Sequence, residues 1–128
     1  MREEMISCEK ILVLSVIFER KLDVEDGKVE IHIDVELNYA ANKKKSEKNA
    51  KLEMLLTVGS KEKDQIPLYF SIRLAGIFGW ESMTEQEAEG EINSQGAEVL
   101  MSFARTYLYD MMCKAGMEGI VLPLERFE

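Results

Sequence analysis

The sequence predicts an α+β protein, with four β-strands followed by one long helix towards the C-terminus. Two patterns support this fold class. Four segments carry apolar residues at alternate positions or throughout, which is typical of strands. Residues 97–115 carry apolar residues every three or four positions, which is typical of a helix. At 128 residues and 14.7 kDa, the chain is expected to form a single domain spanning residues 1–128.

The first predicted strand, residues 10–20, is apolar in both alternating registers. A strand with two apolar faces is covered on both sides, or its edge is hidden by a partner. We therefore expect Leu12, Leu14 and Val16 to pack against a second subunit.

Three further segments, residues 29–37, 51–58 and 66–74, alternate with period two. A strand with one polar, solvent-exposed face and one apolar, buried face favours an antiparallel sheet. Asp26 and Gly27 predict a tight turn between the first two strands, and residues 59–64 predict a short link between the third and fourth. Residues 38–49 are polar and rich in lysine, which indicates a longer loop.

The helix is expected to begin near Asn93 or Ser94, because either side chain can cap it, and to end at Gly116. The acidic stretch 81–91 is expected to lie outside the core. Such a broad apolar face exceeds what a small domain needs, and surplus apolar surface indicates subunits or bound polypeptide. The face comprises Ala97, Leu100, Met101, Ala104, Tyr107, Leu108, Met111, Met112 and Ala115, with Val99 and Phe103 widening one flank.

Part of this face has the spacing of a helix-to-helix seam. The seam steps by three, four, three and four residues through Ala97, Leu100, Ala104, Tyr107 and Met111, which favours packing against a second helix. Its last four members are candidate subunit contacts. The alternative is that the whole face packs on the chain's own sheet. Neither interpretation accounts for Val99, Phe103 and Tyr109, which lie beside the centre of the apolar face and are candidates for contact with a partner.

Composition excludes several classes of function. The net charge of −8 and pI near 4.8 argue against nucleic-acid binding, which needs clustered Lys and Arg. No apolar run reaches the length of a membrane span, and the acidic N-terminus does not resemble a secretion signal. We therefore expect a cytoplasmic protein in which Cys8 and Cys113 are separate thiols.

Catalysis has little support. The chain has one histidine, His32, and lacks a nucleophile elbow, an H-E-x-x-H motif, a P-loop and a G-x-G-x-x-G motif. Residues 81–91 lack the pattern of a calcium loop. The sequence therefore predicts no enzyme, cofactor or metal site, and function is expected to lie in surface recognition.

Three blocks carry a family resemblance: FSIRLAGIF at residues 70–78, VLMSFAR at 99–105, and the stretch from Gly116 to Phe127. In this order, behind four alternating segments, they resemble the SecB family of export chaperones. The resemblance implies a four-stranded antiparallel sheet packed by the long helix. It also implies dimers that pair through their first strands, and tetramers with helices sandwiched between the sheets.

The resemblance further implies an ATP-independent holdase that binds unfolded polypeptide in apolar grooves. By position, the candidate groove residues are Ile77, Phe78 and Trp80, together with Val99, Phe103 and Tyr109 on the helix. The SecA translocation motor is implied as a second partner, although residues 1–128 have no counterpart of the family's second C-terminal helix and basic tail. Two alternatives stay open: a module for one dedicated partner, such as an antitoxin, and a carrier of a small apolar ligand.

Overall fold

The computed structural model describes residues 6–20, 33–44, 47–59 and 68–116. Within them lie four strands, β1 (Ser7–Arg20), β2 (Ile33–Ala41), β3 (Asn49–Val58) and β4 (Leu68–Gly79). Two α-helical segments follow, α1 (Glu85–Glu91) and α2 (Ala97–Lys114), joined by a π-helical turn over Ile92–Gly96. The α+β class and the four-stranded antiparallel sheet are confirmed.

The alternation in β3 and β4 places one complete apolar row against the helix. Leu52, Met54 and Leu56 of β3 are fully buried, and Ile72 and Leu74 are paired with two of them in β4. Residues that stand opposite each other in an antiparallel pair point to the same face, so the two rows form one continuous surface. Buried side chains of α2 complete this core: Ala97, Leu100, Met101, Ala104, Leu108 and Met112.

The order of strands in the sheet is β1-β4-β3-β2. β1 and β2 therefore lie on opposite edges of the described sheet, about three strand spacings or 14 Å apart. The prediction that the first two strands are joined as a hairpin is therefore wrong, because the strands of a hairpin are adjacent in the sheet. The predicted turn residues Asp26 and Gly27, His32, and the ends of the predicted strands at residues 29–32 and 66–67 lie outside the described residues.

The two apolar registers of β1 have a structural explanation. The pairing of β1 with β4 shifts by one residue between Cys8 and Lys10 and again between Val13 and Ser15, so Glu9 and Leu14 are extra bulge residues. Each bulge inserts one residue, so every side chain after it points to the opposite face of the sheet from the one that strict alternation predicts. As a result four apolar residues from both sequence registers share the helix side of the sheet. They are Ile11, Val13, Val16 and Phe18, opposite Gly76, Leu74, Ile72 and Phe70.

The helix begins earlier than predicted. Thr84 caps α1: its hydroxyl accepts a hydrogen bond from the Glu87 amide at 3.2 Å, and the Glu87 carboxylate accepts one from the Thr84 amide at 3.0 Å. This is a capping box. Asn93 and Ser94 lie inside the helical run and cap nothing, and the Ser94 hydroxyl instead donates to the Gly90 carbonyl at 3.2 Å. Ser94 thus bonds back within the helix.

The π-helical turn keeps one face of this helical run directed at the sheet. Glu91, Ile92, Gly96 and Ala97 all have right-handed helical backbone angles, so the run from α1 to α2 is continuous. Buried Ile92 and buried Ala97 are five residues apart, a spacing that an α-helix would rotate about 140° away from one face. The wider π turn absorbs the extra residue. The run ends as predicted at Gly116, whose φ is +74°.

Candidate functional site

Exposed apolar side chains in the described structure fall mainly on two surfaces. The first, here called the β1 patch, consists of Leu12, Val13, Leu14 and Ile17, which are 36–47% exposed. The second, here called the α2 stripe, consists of Val99, Phe103, Tyr107 and Met111. Leu37 on β2, 36% exposed, stands apart from both. Exposed apolar area of this kind marks sites of interaction with another chain.

The β1 patch is presented on both faces of an edge strand. Val13 lies on the helix side opposite Leu74, whereas Leu12 lies on the outer face opposite Ala75. Leu14 is a bulge residue without a partner position in β4 and, among the large apolar residues that the structure describes, it is the most exposed, at 47%. Val16 is half-buried on the helix side. Leu12 and Leu14 are thus accessible to a second subunit, and Val16 is partly so.

The α2 stripe follows from a spacing of four residues. Val99, Phe103, Tyr107 and Met111 are successive i, i+4 neighbours, which lie one above the other on a helix. The rings of Phe103 and Tyr107 are 6.5 Å apart between centroids and tilted by 35°. Exposure falls along the stripe, from 40% at Val99 and 36% at Phe103 to half-buried Tyr107 and Met111. Residues expected at a client site and residues expected at a subunit contact therefore share one surface.

Three predicted site residues are not at the surface. Leu100 and Ala104 have no exposed area and belong to the chain's own core, which corrects their assignment to subunit packing. Phe78 is 1% exposed, which corrects its assignment to client binding. Its ring is enclosed by backbone: a Cβ at Gly76 would lie 2.6 Å from Phe78 Cε2, and a Cβ at Gly96 would lie 3.2 Å from Phe78 Cζ.

The remaining candidates lie on separate surfaces. Ile77 is half-buried on the outer face of the sheet, opposite Lys10 of β1 and Lys51 of β3. Tyr109 is half-buried and packs against the core, about 120° around the helix from Phe103. The structure therefore does not bring Ile77 and Tyr109 together with the α2 stripe.

Trp80 stands beside an open cavity of about 120 Å³. The turn after β2 and the segment after β4 form it, and they are joined by Lys48: its carbonyl accepts a hydrogen bond from the Trp80 amide at 3.1 Å, and its Nζ donates to the Glu81 carbonyl. Asn42 Nδ2 stiffens the turn by donating to Asn49 Oδ1 at 2.6 Å. Five of the seven residues that line the cavity are polar or charged, which is not typical of a pocket for an apolar ligand. The cavity is lined by Asn42, Glu47, Lys48, Asn49, Trp80, Met83 and Glu85.

Tyr39 lies on the helix side of β2 near the carboxylates of α1. Its hydroxyl is buried and has no hydrogen-bond partner among the described residues. Burial raises the pKa of the Tyr39 phenol above its ordinary value of 10.0, and the negative charges of Glu89 and Glu85 raise it further. Both effects disfavour the phenolate. Tyr39 is therefore a neutral hydroxyl at physiological pH.

Sequence reasoning missed three exposed apolar residues: Val13, Ile17 and Leu37. Leu37 belongs to the apolar row of the alternating segment 29–37, but it lies on an edge strand, where the helix gives less cover. No sequence signal distinguishes an edge strand from a central strand in this chain.

The described helices include none long and apolar enough to span a membrane. Within the described ranges, no three His, Cys, Asp or Glu residues are grouped so that they could hold a metal ion.

Solved structures share this fold. A SecB-like chaperone from Mycobacterium tuberculosis, in complex with a ChAD peptide from the HigA1 antitoxin, aligns with a TM-score of 0.68 and 15% identity, covering 94% of this chain and 87% of that one. A protein of unknown function from Streptococcus agalactiae aligns with a TM-score of 0.54 and 12% identity, covering 96% of this chain and 100% of that one. Comparison with curated protein sequences finds no match.

The sequence also matches a family model along nearly its whole length. The matched family is described as preprotein translocase subunit SecB, and the match spans residues 4–127. It includes all four strands, both helical segments and both exposed apolar surfaces. This chain is a member of the SecB family.

Proposed function

We propose that this protein is a SecB-like holdase that binds unfolded polypeptide through exposed apolar surface, without a chemical step or a cofactor. The observation that carries the proposal is the α2 stripe, in which an aliphatic side chain, two aromatic rings and a methionine follow one another at i, i+4 spacing. Methionine and aromatic side chains adapt to varied apolar partners, which a chaperone with many clients requires. The proposed setting is the cytoplasm.

Val99 and Phe103 are the residues we assign to client contact. They are the most exposed members of the α2 stripe, at 40% and 36%. Trp80, half-buried beside its cavity, is a secondary candidate because an indole can cover an apolar segment and still reach water. Ile77 and Tyr109 remain candidates on separate surfaces, where a long unfolded chain could reach them only by wrapping around the molecule.

The β1 patch is the surface we assign to a second copy of this chain. Its four apolar residues lie on both faces of an edge strand, so a partner subunit would bury them together. The two bulges make a continuous strand-to-strand ladder between subunits unfavourable at this edge. We therefore expect side-chain packing to hold the subunits together, in a homodimer or homotetramer.

Suppression of aggregation tests the holdase proposal. A client protein is denatured, reduced and diluted into buffer, and its light scattering is followed with and without this protein. Stoichiometric protein should lower the scattering, and a Val99→Ser, Phe103→Ser double variant should protect less. Ser102→Ala, an exposed neighbour between the two positions, is the matched control. No protection at tenfold excess of folded protein would refute the proposal.

A second candidate function is a module dedicated to one partner. The similarity to a SecB-like chaperone seen in complex with an antitoxin peptide favours it. A dedicated module should co-purify with one polypeptide and protect that polypeptide much better than unrelated clients.

A role in protein export is a more specific proposal than the holdase function, because it requires delivery of the client to a translocation motor. Co-sedimentation with SecA tests that step separately.

A further inference from the structure

Arg105 is a cation without a partner on the flank of α2 that lies away from the α2 stripe. Its side chain is half-buried, and its Nε is buried and has no hydrogen-bond partner among the described residues. It forms no ion pair with any of them either. Arg105 is two positions beyond Phe103, so the two side chains point about 160° apart around the helix. Arg105 is therefore not part of the α2 stripe.

The surroundings of Arg105 supply no negative charge. Its neighbours one turn away on α2 are Met101, Ser102, Leu108 and Tyr109, and none of them is acidic. No polar or charged residue is buried in the described part of the chain, so the core beneath the helix offers no carboxylate. A guanidinium N–H that has lost water and gained no acceptor is unfavourable. A bound anion would therefore relieve a cost that the protein carries when it is alone.

We propose that Arg105 binds a side-chain carboxylate of an unfolded polypeptide, and that Tyr109 contacts an apolar side chain next to that carboxylate. The guanidinium presents its N–H groups as a planar fork that matches the two oxygens of a carboxylate. Tyr109 is half-buried and lies one turn further along the same flank, at i+4. The inference rests on the proposed holdase function and specifies its substrate class: segments in which one Asp or Glu stands between apolar residues.

The charge of the whole chain limits the preference to isolated carboxylates. The net charge of −8 repels a strongly acidic segment. At about 0.15 M salt this repulsion is screened beyond about 8 Å, whereas the contact between one carboxylate and a half-buried guanidinium is screened much less. A neutral or basic segment would leave Arg105 unpaired. Charge complementarity at short range therefore favours a single Asp or Glu within an apolar segment as the occupant.

A pair of short peptides tests the proposal. One peptide has a single glutamate between leucines at its centre, the other has glutamine there, and both have blocked termini so that no other carboxylate is present. We expect the wild-type protein to bind the glutamate peptide about tenfold more tightly in calorimetry. Equal affinity for the two peptides would overturn the proposal. An excess of propionate, a carboxylate without a peptide, should not displace the glutamate peptide, and displacement would overturn the proposal by revealing a general anion site.

Substitution of Arg105 tests which group binds the carboxylate. In Arg105→Met, which keeps a long apolar stem, the preference for glutamate should fall to within about twofold, and the glutamine peptide should bind as it does to the wild type. Arg105→Lys should keep part of the preference, since it keeps the charge and loses the fork. Arg73→Met is the matched control, because it removes the same charge from an exposed position on the outer face of the sheet. Preference that persists in Arg105→Met, or that is lost in Arg73→Met, would overturn the assignment.

Stability and mass show whether this chain itself supplies a partner for Arg105. If it does not, Arg105→Met should leave the urea midpoint of unfolding unchanged or raise it, because the variant removes desolvated N–H groups. A clearly lower midpoint would reveal an internal acceptor and overturn the inference. The mass in light scattering should also stay unchanged. A lower mass would show that the acceptor belongs to a second copy of this chain, which would equally overturn the inference.

Client protection separates this inference from the proposed function. Wild-type protein that suppresses client aggregation but binds the two peptides equally would retain the holdase function and reject the carboxylate site. Protein that neither protects the client nor binds either peptide would reject both. Protection together with a preference for the glutamate peptide that depends on Arg105 supports both.

Discussion

The Phe78 ring lies directly over the backbone of Gly76: a methyl group on Gly76 would come within 2.6 Å of Phe78 Cε2 and 2.9 Å of Cζ. Leu100 of α2 closes the same space from the helix side, with its Cδ2 3.0 Å from that position. This arrangement lets the end of β4 approach the helical run closely, and it makes Phe78 a structural residue.

Gly76→Ala is therefore expected to destabilise the protein. The ring of Phe78 is 1% exposed and Leu100 is fully buried, so neither can yield without disturbing the core. Overpacking of this kind costs about 1–3 kcal/mol. Gly90→Ala is the matched control, because nothing lies within 4 Å of that position and alanine favours a helix by about 1 kcal/mol. Urea unfolding should show opposite shifts, and a neutral Gly76→Ala would contradict the packing described.

Phe78→Ala and Phe103→Ala should separate folding from binding. Removal of the buried Phe78 ring should cost about 3–5 kcal/mol of the free energy of unfolding. Removal of the Phe103 ring, 36% exposed, should cost about 1 kcal/mol or less and should reduce protection of an unfolded client. Denaturant unfolding and client light scattering measure the two effects. The assignment fails if Phe103→Ala is the more destabilising change.

The capping box provides a prediction about pH. Hydrogen bonds from the backbone amide and the side chain of Thr84 lower the pKa of Glu87 below its ordinary value of 4.5. A lowered carboxyl pKa in the folded state stabilises the helix start above the unfolded pKa, and this contribution is lost as the pH falls through the folded pKa. In Thr84→Ala, the NMR-titrated pKa of Glu87 should rise towards 4.5. The backbone amide of residue 84 remains in this variant, so an unchanged Glu87 pKa would show that the Thr84 side chain does not contribute to the shift.

Oligomer formation should depend on the β1 patch. We expect the wild-type protein at tens of micromolar to have a mass of two or four times 14.7 kDa in multi-angle light scattering. Leu14→Lys with Ile17→Lys should reduce that mass, because a charge at each position opposes burial. Leu37→Lys, an exposed apolar residue on the opposite edge, should leave the mass unchanged. If the wild-type protein has the mass of a monomer in this measurement, the β1 patch is not a subunit contact.

Local patterns predicted most of the elements, and long-range pairing accounts for the errors. The alternating rows of β3 and β4 and the stop at Gly116 follow from local periodicity and backbone preference, and the structure confirms them. Strand order does not follow from such patterns: Asp26 and Gly27 predict a hairpin between the first two strands, but β1 and β2 are not neighbours in the sheet. The positions of the β1 bulges could not be predicted either, because Glu and Leu are not residue types that mark a bulge, as Gly often does.

The helix start was missed for a different reason. The T-x-x-E signal at Thr84–Glu87 was visible in the sequence, but the polar composition of residues 81–91 obscured it. The five-residue step between Ile92 and Ala97 also interrupts the α-helical period of apolar residues. No residue type marks a π turn, so this interruption cannot be recognised from the sequence. For the site, the family resemblance implies a groove position for Phe78, and helical spacing predicts a subunit contact for Leu100, but neither kind of argument reports burial. Burial could be judged only after the contacts of Gly76 and Gly96 were known.

Binding of a permanently unfolded polypeptide tests the central claim most directly. A reduced and alkylated protein that cannot refold is titrated into this protein, and its native, disulfide-bonded form is titrated in parallel. Trp80, the single tryptophan of the chain, reports the binding if the client contains none. We predict saturable binding of the unfolded form, weakened by Val99→Ser with Phe103→Ser, and no binding of the native form. Equal affinity for both forms, or binding of neither, would contradict the assignment of this protein as a holdase.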